Sequence, residues 1–157
     1  MKGTTHITGG LVFAFLFNVP AYAVPFAVIG STFPDIDLKF STLIPPKGKK
    51  KSLWSTHRGI THHPAVVLAL FLLWVYLENT YPQYHFYWQF LYGFWVGYLS
   101  HLVLDSMTKL GIPVGFGYYP RFSLNLMKTG GVGEKIFFAL LVIAFVGILY
   151  LKSQGIL

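Results

Sequence analysis

Only five carboxylates and six histidines occur among 157 residues, and most of them fall in three short stretches. The first, Pro34-Asp35-Ile36-Asp37, sets two aspartates at i and i+2. Such a pair points apart in an extended chain, but from a turn both can reach one or two cations. An aspartate cap or turn after a helix is the plainer alternative. The second stretch, His57-Arg58-Gly59-Ile60-Thr61-His62-His63-Pro64, holds three histidines within seven residues. Thr61 followed by Pro64 reads as the cap and first turn of a helix, which puts His62 or His63 at its mouth. Gly59 lets the preceding loop fold so that His57 approaches the same point. Imidazoles at this density point to metal binding. In the third stretch His101 and Asp105 are four apart, on one face of a helix, with Thr108 on the same stripe. An ionisable pair inside a membrane helix marks a functional site. A His–Asp hydrogen bond gluing helices together would look the same, and the two roles are compatible, since metal-bound imidazoles often donate to a carboxylate.

His6 and Glu134 are lone additions to this set, and Glu134 would equally serve as favourable charge at a helix start. His85, in a turn between apolar segments, is left out. Four of the five acids, Asp35, Asp37, Asp105 and Glu134, lie at ends of apolar segments, where uncompensated charge is costly. They need cationic partners, either Arg58 with the lysines or a metal. With no cysteine in the chain, any metal must be held by nitrogen and oxygen, and thiolate or disulfide chemistry is excluded. No Ser–His–acid arrangement is evident, which disfavours a covalent serine route.

The elements that must position these residues read as membrane helices. The chain is 54% apolar, 18% aromatic and 11% charged, outside the balance of a soluble domain. Residues 63–81, 86–107 and 134–151 have about the length and apolarity a bilayer asks of a helix. Residues 9–33 either span once or fold back as a re-entrant helical hairpin, and Asn18, Pro20 and Pro25 favour a break. A hairpin would return the chain beside His6. The expectation is therefore an all-α polytopic bundle of one domain, residues 1–157, with three full spans plus the hairpin or a fourth span. A signal-peptide reading, with Lys2, the apolar run 11–17 and Ala21-Tyr22-Ala23 as cleavage site, is weaker because several apolar stretches follow.

The net charge of +7 raises nucleic acid as a partner, which the placement of the charges argues against. Ten of the twelve basic residues fall between the first and second apolar segments or between the third and the last. By the positive-inside rule the loops 34–62 and 108–133 then face the cytoplasm, and the Lys47–Lys51 run reads as a solvated loop first, with contact to anionic headgroups as the alternative.

Taken in order, His6, Pro34-Asp35-Ile36-Asp37, His57-Arg58-Gly59 with Thr61-His62, and Gly97-Tyr98-Leu99-Ser100-His101 through Asp105 resemble the YdjM-like family, membrane-bound proteins assigned by inference as metal-dependent hydrolases. The resemblance covers nearly the whole chain. It implies a small multi-span inner-membrane protein with metal ligands at His6, Asp35, Asp37, His57, His62, His101 and Asp105, and it favours His62 over His63. The His101-to-Asp105 element is also similar to one in zinc-dependent phospholipases C, although a further histidine of those enzymes has no counterpart here. The expected function is hydrolysis of a phosphoester or related bond in a lipid or lipid-linked substrate by two or three divalent metals, zinc first and manganese or iron acceptable. Asp35 or Asp37 would bridge metals, Asp105 or Glu134 would handle protons, and Arg58 would hold a phosphate. A divalent-metal transporter or membrane metal sensor is the alternative, using the same ligands but needing polar residues that continue across the membrane.

Overall fold

A computed structural model describes residues 1–37, 58–115 and 119–156. His57 lies outside the described residues. Five α-helices dominate the described part: α1 (Gly3–Leu16), α2 (Val24–Thr32), α3 (Pro64–Thr80), α4 (His85–Ser106) and α5 (Val132–Ser153). Two short strands, β1 (Ile112–Pro113) and β2 (Arg121–Phe122), pair antiparallel with Ile112 opposite Phe122. The all-α expectation is corrected by this small sheet.

The first apolar stretch does break. Asn18 takes a left-handed conformation at φ 52°, Pro20 follows, and the chain turns back through Ala21–Ala23 into α2. Pro25 falls in the first turn of α2, where its missing N–H costs nothing. By contrast α1 begins at Gly3, six residues earlier than the apolar pattern suggests. Its polar first turn is satisfied from a distance: Glu134 of α5 accepts hydrogen bonds from the Lys2 amide at 2.5 Å and the Thr5 hydroxyl at 2.9 Å. His6 is thereby held inside a helix and fully buried.

At the centre, α4 packs against α1, α2 and α3, while α1 also packs on α5. Glycines let α2 and α4 meet backbone to backbone, as small residues do between membrane helices. A Cβ at Gly97 would lie 2.7 Å from the Ala27 carbonyl carbon, and one at Gly30 would lie 2.9 Å from that of Phe94. This contact sets the C-terminal half of α4, which carries His101 and Asp105, against the end of α2. The loop after α4 is pinned to it by hydrogen bonds from the Leu124 amide to Ser106 O and from the Leu126 amide to Met107 O.

Among the described residues, only α5 is by itself long and apolar enough to cross a membrane; α3 with the chain from Pro82 to Ser106 qualifies only as a pair bent by 110°. Three such helices were expected. The difference is physical: α3 has 17 residues and rises about 26 Å, short of a hydrocarbon core of about 30 Å. Meanwhile α4 carries Gln89, Ser100, His101 and Asp105 inward as the buried central helix. Almost none of α5 is buried; Glu134, Leu141 and Ile148 form its single inward stripe, one residue every second turn.

Candidate metal centre

Four elements converge at one end of the bundle. His6 comes from α1, Asp35 from the turn Phe33–Ile36 that closes α2, His62 from the turn Ile60–His62 before α3, and His101 with Asp105 from the last turns of α4. His6, His62, His101 and Asp105 are completely buried, while the Asp35 side chain is 24% exposed.

The two imidazoles of His62 and His101 present Nε2 to each other at 3.1 Å. Asp105 Oδ2 lies 3.4 Å from His62 Nε2 and 3.5 Å from His101 Nε2. Asp35 Oδ1 lies 3.6 and 3.7 Å from the same two nitrogens. A tetrahedral zinc with bonds of about 2.0–2.1 Å keeps its ligand atoms roughly 3.3 Å apart. In this quartet of His62, His101, Asp105 and Asp35, each carboxylate therefore stands at close to the spacing from the two imidazoles that a small divalent cation demands. Asp105 Oδ2, although buried, makes no hydrogen bond, and neither ring nitrogen of His6 makes one. Buried acceptors are rarely left so, and a cation would satisfy them. The residues fit a metal.

Both imidazoles are held in the tautomer that frees Nε2. His101 Nδ1–H donates to the Ser31 carbonyl of α2 at 2.7 Å. His62 Nδ1 lies 3.0 Å from Thr61 Oγ1 and 3.3 Å from Asp37 Oδ2. His6 stacks on His101 with ring centroids 3.7 Å apart, and its Nε2 is 3.4 Å from Asp105 Oδ1. Two groups of potential ligands thus share His101: Asp35–His62–His101 and His6–His101–Asp105. Because His101 has one free nitrogen, they are alternative uses of that ligand.

Cationic side chains brace the cluster. Arg58, 3% exposed and at φ 59°, donates from Nη2 to Asp105 Oδ1 at 2.7 Å and from Nη1 to Thr108 Oγ1 at 2.7 Å. Both terminal nitrogens face inward partners, so Arg58 orients Asp105, whereas the sequence suggested a phosphate clamp. The Met1 amino group is also 2.7 Å from Asp105 Oδ1. Glu134 stands outside both groups, its second oxygen accepting from the Gly130 amide at 2.6 Å, and it anchors α1. His63, not Thr61, caps α3, with Nδ1 accepting from the Ala65 amide. His62, the fully buried neighbour, is the one that turns inward toward the cluster. His85 pairs with Glu78 away from the cluster.

Charge follows geometry. Burial pushes His62 down, but the neighbouring carboxylates of Asp105, Asp35 and Asp37 outweigh it and raise the imidazole to about 9. For Asp35 burial opposes ionisation, yet the His62 hydrogen bond and the charges of His101 and His6 prevail and hold it below the ordinary carboxylate range. Without a metal, a proton on His62 does the cation's work.

Sequence reasoning missed Ser31, Thr61 as a support, and Arg121, whose guanidinium donates to the carbonyls of Leu110, Gly111 and Arg58. A backbone carbonyl acceptor such as Ser31 O leaves no mark on residue type.

The model of the family described as YdjM inner membrane protein matches residues 1–156. This chain belongs to the YdjM inner membrane protein family. It is also similar to the uncharacterized protein YvsG of Bacillus subtilis (strain 168), with 30% identity over 165 aligned positions covering 99% of this chain and 98% of that relative. No solved structure matches it. The phospholipase C likeness finds no support in these matches. For a YdjM family chain, the buried His/Asp cluster and the apolar α5 are the features to be explained together.

Proposed function

We propose that this YdjM family member is a membrane-embedded, metal-dependent hydrolase acting on a phosphoester or related bond of a lipid or lipid-linked substrate. One observation supports the reading: two imidazole nitrogens 3.1 Å apart, each with an oxygen of Asp35 and an oxygen of Asp105 within 3.4–3.7 Å, are drawn from three separate parts of the chain to one end of the bundle. His62, His101, Asp35 and Asp105 would hold the cation, zinc first, with His6 as a further ligand on the Asp105 side. When bound, such a cation supplies Lewis acidity, polarising the scissile group and acidifying water to a pKa of about 7.

The chain's own residues do the rest. Ser31 and Thr61 fix the imidazole tautomers, and Arg58 fixes the Asp105 carboxylate. Asp35 is the quartet member that water and substrate can reach, and a proton released there has a carboxylate to receive it. Exposed Ile29, Phe33 and Ile36 border Asp35, an apolar approach that suits a lipid better than a soluble ester. Three spans with an N-terminal hairpin, and the basic loops on the cytoplasmic side, would place the centre at the inner leaflet.

The test is turnover by purified protein of phosphodiester, phosphomonoester and carboxyl-ester lipids, for wild type and Asp35→Asn. Chelator-sensitive hydrolysis that falls at least a hundredfold in Asp35→Asn is expected. Equal activity in both would reject the role of Asp35, and zinc uptake into proteoliposomes with no hydrolysis would favour transport.

A further inference from the structure

We infer that Asp37 is not a ligand of the metal but the positioning residue that aims His62 at it, an assignment that rests on the metal-centre reading. Asp35 and Asp37 differ by two residues and meet opposite edges of the same imidazole. Asp35 Oδ1 lies 3.6 Å from Nε2, whereas Asp37 Oδ2 lies 3.3 Å from Nδ1. The 3-10 turn Phe33–Ile36 explains the divergence. At three residues per turn, positions i and i+2 project about 120° apart around the axis, so one aspartate takes the inner edge of the ring and the other takes the outer.

The Asp37 oxygen is built into this outer place. Oδ2 accepts from the Arg58 amide at 2.9 Å and from the Thr61 hydroxyl at 2.8 Å. That hydroxyl, having donated to Asp37, receives the His62 Nδ1 proton at 3.0 Å. Asp37, Thr61 and His62 thus form a chain of donors and acceptors leading away from the quartet. The Tyr98 hydroxyl donates to the Thr61 carbonyl and ties the arrangement to α4. An oxygen held against Nδ1 cannot also bond a cation at Nε2, since the two nitrogens face away from each other across the ring. What Asp37 does is keep the proton on Nδ1, leave the Nε2 lone pair to the metal and raise its donor strength, as outer carboxylates do for metal-bound histidines. Arg58 gains a second function: its backbone fixes Asp37 while its guanidinium fixes Asp105, so one residue in a left-handed conformation registers both carboxylates.

Cobalt binding to purified full-length protein separates a ligand from a positioning residue. Stoichiometry and affinity come from titration, and the metal-induced carboxylate bands come from infrared difference spectra. The expected result for Asp37→Asn is one cobalt per chain bound about 10- to 100-fold more weakly than by wild type, with the wild-type carboxylate bands retained. Asp35→Asn should lose one of those bands. Thr61→Val, which keeps Asp37 but removes the bridging hydroxyl, should weaken binding in the same direction, and it stands in if Asp37→Asn does not fold. Loss in Asp37→Asn of the same kind of band that Asp35→Asn loses would make Asp37 a ligand and overturn the assignment. Unchanged affinity in both Asp37→Asn and Thr61→Val would overturn it as well. A wild type that takes up no cobalt would remove the metal reading itself, before any substitution is compared.

Discussion

Replacing His101 with alanine should abolish tight metal binding, because both potential ligand groups depend on its single free nitrogen. The size follows from the site. A structural four-ligand zinc site binds with about 10–16 kcal/mol, so one ligand in four is worth about 2.5–4 kcal/mol. At 1.36 kcal/mol per decade, that is roughly two to three orders of magnitude in affinity. No neighbour can take over: His62, Asp35 and Asp105 keep their places but lose the second imidazole, and His6 loses the ring it stacks on. His6→Ala, by contrast, leaves Asp35, His62 and His101 as a complete group, and its loss should be clearly the smaller. Competition against a chromophoric chelator on the purified protein, with metal content counted by elemental analysis, measures both variants on one scale. If His101→Ala binds zinc as tightly as wild type, or if His6→Ala costs more than His101→Ala, the quartet is not the site.

Other outcomes follow from the same contacts. Since His62 in the metal-free protein is raised from 6.5 to about 9, metal must displace its proton; affinity should climb about tenfold per pH unit from neutrality and flatten above 9, measurable by chelator competition across pH. The sign for stability is the reverse: the imidazolium contribution is complete below pH 6.5 and is lost as pH rises through 9, so metal-free protein should denature more readily at high pH while metal-loaded protein should not. Gly97→Val would drive side-chain atoms into the Ala27 carbonyl group and push α2 from α4, costing about 1–3 kcal/mol or more in a detergent-denaturation midpoint and weakening metal binding by moving Ser31 O from His101. Glu134→Gln turns an amide donor toward either the Gly130 or the Lys2 N–H, costing about 1–3 kcal/mol and speeding amide exchange at the start of α1, with a smaller effect on metal affinity than His101→Ala.

What the sequence discloses here is what depends on neighbours in the chain. The break at Asn18 and Pro20 follows from backbone sterics at those residues, and His101 with Asp105 share a face because helical spacing puts them there. What it hides depends on partners far away. The early start of α1 needs Glu134, more than a hundred residues on, to satisfy its first turn. The divergent roles of Asp35 and Asp37 depend on a 3-10 turn and on where His62 arrives. Arg58 looked like a group for substrate because nothing near it in the chain reveals that Asp105, 47 residues away, would claim its guanidinium. The two-residue strands are too short for any alternation to show.

The metal-binding outcomes all require a divalent cation among His62, His101, Asp35 and Asp105. Crystals grown with zinc and measured on both sides of its absorption edge test this most directly. One dominant anomalous peak is expected, about 2.0–2.2 Å from Nε2 of His62 and of His101 and from an oxygen of Asp35 and of Asp105, with Asp37 beyond bonding distance. A map with no peak there, or with zinc only at the outlying imidazoles of His63 and His85, would contradict it.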